Sequence, residues 1–171
     1  MDMVKELESG AIGGLAGGTL MAAGMMIGKR AGMVNELPPA KLERELEDRG
    51  GFADKTDETQ ETALGVGGHM AFSALLGAGY AVLQSRVNTS PVTGGLLYGL
   101  GVYFVNRVGI GPSLDLTPSP ADEDRMSVGR NLMMHLAFGA VTGYTYDRVR
   151  QSLKDAEPRH DGQTPSAFIA P

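Results

Sequence analysis

Two histidines stand inside otherwise apolar stretches of this chain, His69 in "GHMAFSALLGAGY" and His135 in "MHLAFGAVTGYTY". An imidazole so placed has three chemical uses. It can hydrogen-bond a carbonyl, hydroxyl or carboxylate of a neighbouring helix and fix packing. It can carry protons or a solute along a pathway, because its titration range lies near physiological pH. It can ligate a metal or a b-type haem, with His69 and His135 as facing ligands. The last use is the least favoured, since a metal ordinarily recruits more ligands and these stretches hold no carboxylate or cysteine.

Other chemistry finds little support. The chain has no cysteine, which excludes disulfides, thiolate catalysis and cysteine metal sites. Ser73 lies near His69 but on no nucleophile elbow. "GGLAGG" lacks the Lys-Ser/Thr and the preceding strand of a phosphate loop. The ten methionines show no repeated metal spacing. No catalytic residue, no metal site and no cofactor are expected, and the chain reads as a non-enzyme. Its net charge of -5 argues against a nucleic-acid partner.

The elements that would hold the histidines emerge from the distribution of charge. A mean hydropathy of -0.09 suggests a soluble protein, but the apolar residues are segregated into uncharged runs and the charges crowd into the ends and loops. The runs are Gly10 to Gly28, Thr62 to Ser85, Pro91 to Asn106 and Asn131 to Tyr146. A membrane-spanning helix needs about 20 predominantly apolar residues, and arginines at the ends of the two shorter runs can snorkel. An amphipathic surface helix would carry charge on one face, and these do not. The expected fold is all-α: a polytopic membrane protein with four transmembrane helices, over about 10–31, 62–85, 91–110 and 128–147.

Residues 1–150 form the expected transmembrane domain, with a polar loop and a short surface helix at 39–50. Residues 151–171 read as a polar, disordered tail. The leader "MDMVKELESG" is acidic and no cleavage site follows it, so the first run is expected to stay in the mature protein. Gly32 is expected to cap the first helix, Thr59 or Thr62 to start the second, and Asp122 to Asp124 to lie at the start of the fourth.

The two histidine phrases repeat. At one constant offset His69 falls on His135, Ala71 on Ala137, Phe72 on Phe138, Ala74 on Ala140, Gly77 on Gly143 and Tyr80 on Tyr146. The first and third runs align as well, Gly17 and Gly18 with Gly94 and Gly95, Leu20 with Leu97, Gly24 with Gly101 and Arg30 with Arg107. The expectation is two tandem repeated hairpins, related by a pseudo-twofold axis along the membrane normal.

Residues four apart share a helix face. Gly65, His69, Ser73 and Gly77 therefore line up on one helix and His135, Gly139 and Gly143 on another, beside Gly10, Gly14 and Gly18 on the first and Gly95 and Gly99 on the third. Small residues at this spacing let helices approach closely in lipid, which puts the imidazoles on packing faces. Tyr80 and Tyr146 are expected as interfacial tyrosines at the opposite boundary, and Arg148 with Arg150 as interfacial anchors.

"GGLAGGTLMAAGMMIGKRAGMVNELPP", "HMAFSALLGAGYAVL", "GGLLYGLGVYFVNRVGIGPSLDLTPSP" and "MHLAFGAVTGYTYDRVR" together resemble the YagU-like family of bacterial inner-membrane proteins. The resemblance covers roughly Gly10 to Arg150 and implies a multi-pass inner-membrane location, with no established activity. Basic residues flank both sides of the expected spans, so orientation is undecided.

The functional expectation is a structural or assembly component, packed through glycine-rich faces in the bilayer, as a homo-oligomer or with a membrane-protein partner. The alternative is a small transporter or proton-conducting protein using His69 and His135.

Overall fold

The computed structural model describes residues 2–32, 58–113 and 119–156, without the side chains of residues 29 and 58–64. The expected surface helix at 39–50 and the tail beyond 156 lie outside the described residues. The described residues are mostly helical and hold no strand: α1 is Met3–Arg30, α2 Glu58–Gln84, α3 Pro91–Phe104 and α4 Arg125–Asp155. α3 runs on through a π-helical stretch, Val105–Ile110, and a last helical turn, Gly111–Ser113.

Local chemistry sets the ends. The Asp2 carboxylate accepts from the Val4 amide at 2.6 Å, and Gly32 at φ 68 closes the other end of α1 in the left-handed region open to glycine. Ser90 caps α3 through the Thr93 amide, with Pro91 in the first turn where its missing N–H costs nothing. Asp124 caps α4 by accepting from the Met126 and Ser127 amides, both at 2.9 Å.

Three boundaries differ from expectation. The leader is helical from Met3, because Asp2 caps it. α2 begins at Glu58, ahead of both threonines proposed as its cap. α4 runs to Asp155, so the first residues of the expected tail are helix.

The helices pack in cyclic order. α1 lies along α2 and along α4, and α4 along α3, whereas α2 touches α3 and α4 only slightly. Small and polar residues make up most of the interior: Ser9, Gly10, Gly13, Gly14, Gly17, Gly18, Ser73, Gly77, Gly95, Gly99, Gly139, Thr142 and Gly143 are all buried, beside the rings of Tyr80, Tyr103, Phe138 and Tyr146. Large apolar side chains point outward, as with Leu75 at 71% exposure, Ile27 at 66% and Leu97 at 60%. Among the described residues, two helices are long and apolar enough to cross a membrane, over Met3–Gly28 and Gly65–Gln84.

The π-helical stretch has a geometric reason. Gly95, Gly99, Tyr103, Arg107 and Gly111 recur every fourth residue and are all buried. In an α-helix of 3.6 residues per turn such a row drifts about 40° at each step. The wider π turn takes up that drift, so Arg107 and Gly111 stay on the inner side.

Candidate functional site

The polar groups gather in two layers, one at each end of the bundle. The layer at the histidine end is built around the inner face of α3. Tyr103 packs edge-on against the His135 ring at 5.4 Å, and Arg107, one turn on, is buried and lies within electrostatic reach of His135. The Arg107 guanidinium is paired with Glu123, from the loop that leads into α4. Arg107 Nε and Glu123 Oε2 are buried without a hydrogen-bond partner.

His135 does not bond a neighbouring helix. Its Nδ1–H donates to the Asn131 carbonyl one turn back on α4, at 2.8 Å. His69 does bridge helices: Nε2–H donates to the Gly18 carbonyl of α1 at 3.1 Å. The two histidines thus lie in different seams, His69 between α1 and α2 and His135 between α3 and α4.

The glycine rows sit in the same two seams. A methyl group on Gly14 would overlap the Ser73 carbonyl oxygen and stand 2.8 Å from the Gly77 backbone. Gly10 meets Gly77 and Ala81, and Gly18 meets Ser73. Gly95 and Gly99 approach Gly139 and the His135 carbonyl, and Gly143 approaches the Pro91 carbonyl. Gly13 and Gly17 turn to the other side of α1, against Thr142 and Phe138 of α4.

The opposite layer joins all four helices and was not anticipated. Glu6 of α1 is buried and accepts from the Tyr146 hydroxyl and, at 2.8 Å, from Arg150 Nε, both on α4. Tyr146 meets Tyr80 of α2 edge-on at 5.4 Å. Tyr80 donates to the Pro91 carbonyl at the start of α3 at 2.5 Å, and Tyr98 of α3 donates back to the Leu76 carbonyl at 2.7 Å. The Glu6 carboxylate raises the Arg150 guanidinium above its ordinary value.

This layer corrects two expectations. Tyr80 and Tyr146, each 1% exposed, are core residues and not interfacial ones. Their hydroxyls find protein acceptors, which removes the need for water that draws tyrosine to a membrane surface. Arg150 turns inward to Glu6, whereas Arg148 stays exposed over the Tyr144 ring, 5.4 Å from its centroid. The available signal was an acid one turn into a helix whose other acid is Glu8.

Residues 4–156 match the model of the family of unknown function DUF6789. No curated protein and no solved structure matches the chain.

Proposed function

We propose that this chain, which belongs to that family of unknown function, is a four-span membrane protein made of two tandem hairpins, working as a structural or assembly component in company with copies of itself or another membrane protein. One observation carries the membrane reading: small residues, polar groups and four aromatic rings fill the interior, with no Leu, Ile, Val or Met buried among the described residues, while Leu75, Ile27, Leu97 and Met133 face outward. In water this arrangement would forfeit the hydrophobic drive to fold. In lipid it places apolar side chains against acyl chains and lets backbones meet across glycine. The run from Pro91 to Ser113 is continuously helical, and at 1.5 Å per residue it is about 30 Å long or slightly more, the thickness of the hydrocarbon core. α4 at 31 residues exceeds that thickness.

The duplicated-hairpin reading has support in the contacts. Gly18 on Ser73 in the first half corresponds to Gly95 on Gly139 in the second, and Gly14 on Gly77 to Pro91 on Gly143. The proposed inner-membrane location rests on the resemblance to the YagU-like family.

A cysteine-free chain suits a topology test. Single cysteines replacing Val87, Ala121 and Ser152, labelled with a membrane-impermeant maleimide in sealed vesicles, should place Val87 and Ser152 on one side and Ala121 on the other. If only α1 and α2 crossed, all three would label together; if the protein left the membrane with a carbonate wash, the whole reading would go.

A second reading, proton or solute passage, is favoured by the burial of His135 against Tyr103, with buried Arg107 in electrostatic reach. Flux into liposomes should then fall when His69 and His135 are both changed to alanine. Unchanged flux, or none from the unaltered protein, rejects it.

A further inference from the structure

The seam between α1 and α4 is only partly repeated between α2 and α3. In the alignment of the two halves α1 corresponds to α3 and α4 to α2, so a twofold-symmetric bundle would repeat the α1–α4 seam between α2 and α3. Gly17 against Phe138 maps onto Gly94 and Phe72. Gly24 against Met134 maps onto Gly101 and Gly68. The first set is closed, with Phe138 2% exposed and the Met134 side chain lying over Gly24. Among the described residues the second set is bare apart from Gly94: Phe72 is 57% exposed, and neither Gly68 nor Gly101 has an atom within 4 Å of where a Cβ would stand.

Among the described residues α2 and α3 meet at the tyrosine end. Tyr98 bonds Leu76 and packs on Tyr80, while Gly94 lies against Gln84 of the last turn of α2. Toward the histidine end the two helices part, leaving one open side lined on one flank by Phe72 and Gly68 and on the other by Gly101.

We infer that this open side is a dimer surface and that its occupant is a second copy of the chain, with α2 of each copy packed on α3 of the other as α1 packs on α4 within one copy. The inference rests on the duplicated-hairpin membrane reading above. The chain itself shows what covers such a face: a Phe72-type face is covered, in the other half, by the helix that corresponds to α3. Both bare faces lie on the same side, so a twofold axis along the membrane normal brings each to its complement in a closed, isologous pair. Two copies inserted in the same sense keep the antiparallel direction that α1 and α4 have. Neither face carries charge, since Gly65 to Gln84 and Pro91 to Asn106 contain no charged residue, so nothing ionised is desolvated on docking.

Cysteines at Gly68 and Gly101 fit without touching the monomer. Membranes containing a mixture of the Gly68→Cys and Gly101→Cys chains should, on mild oxidation, yield a disulfide-linked species of twice the monomer mass that neither variant yields alone. Leu83→Cys, on an outward position, mixed with either should yield none. The double variant Gly68→Cys/Gly101→Cys tests the competing outcome: a bond formed within one chain, with no mixed dimer, would mean that the open side closes on itself and overturns the proposal. Absence of both products overturns it too. The pair Gly24→Cys/Met134→Cys, in the closed seam, should cross-link within one chain whether or not copies associate. If that pair fails, the helix arrangement falls and the dimer with it; if it succeeds while the mixture gives nothing, only the dimer falls.

Discussion

Gly14→Val is expected to lower the stability of the detergent-solubilised protein by about 3 kcal/mol, the upper end for overpacking. The cause is the identity of the atoms in the way. The new side chain would overlap the Ser73 carbonyl oxygen and the Gly77 backbone, and a backbone inside a helix cannot rotate aside as a long side chain can. Separating α1 from α2 would relieve the overlap but would also release Gly10 from Gly77 and the His69 bond to Gly18. The comparison is Gly67→Ala. Gly67 is helical, exposed and has nothing within 4 Å of a Cβ position, so the alanine should stabilise by about 0.5–1 kcal/mol through backbone entropy alone. Denaturant titration of both variants decides the matter; two glycines of equal sensitivity would mean that α1 and α2 do not meet along this row.

The second large effect belongs to Glu6. Replacement by alanine removes the acceptor for both the Tyr146 hydroxyl and Arg150 Nε. Hydrogen bonds to a charged group are worth about 1.5–3 kcal/mol each, but the Arg150 side chain keeps 33% of its surface in solvent and recovers part of its loss by hydration. The expected cost is therefore about 2–3 kcal/mol, and that of Tyr146→Phe about 1–2 kcal/mol. Glu8→Ala, at an exposed position two residues on, should stay within about 0.5 kcal/mol. A double-mutant cycle between Glu6→Ala and Tyr146→Phe should show coupling, because each side chain is the partner of the other. Independent effects, or equal losses at Glu6 and Glu8, would place Glu6 outside the bundle.

These two sites differ in how far they could be read in advance. Periodicity alone says that Gly10, Gly14 and Gly18 share a face, because four residues come close to one helical turn. It also says where helices lie, since charged residues cannot enter an apolar run without cost, and the flanking charges mark the ends. Turn chemistry at Gly32 and Asp124 is equally local. Glu6 is another matter. An acid in a leader reads as a solvated flank unless its partners are known, and those partners stand at the far end of the chain, at Tyr146 and Arg150.

The tyrosines show the same limit from the other side. Tyr80 and Tyr146 occupy positions near the ends of apolar runs, and that pattern serves an interfacial residue and a core residue alike. Which of the two a tyrosine becomes depends on whether a protein acceptor reaches its hydroxyl. Tertiary structure supplied the Pro91 carbonyl for one and Glu6 for the other.

What the residue order determined by itself was the all-helical class, the approximate extents of the helices, and which small residues lie together on each, because these depend on spacing and on charge within one segment. Only the packed bundle decided that the histidines fall in separate seams, that Arg107 turns inward over a π-helical stretch, and that the α1–α4 side closes while the α2–α3 side stays open. Those outcomes depend on the distance between segments far apart in sequence, and no pattern within a single helix carries that distance.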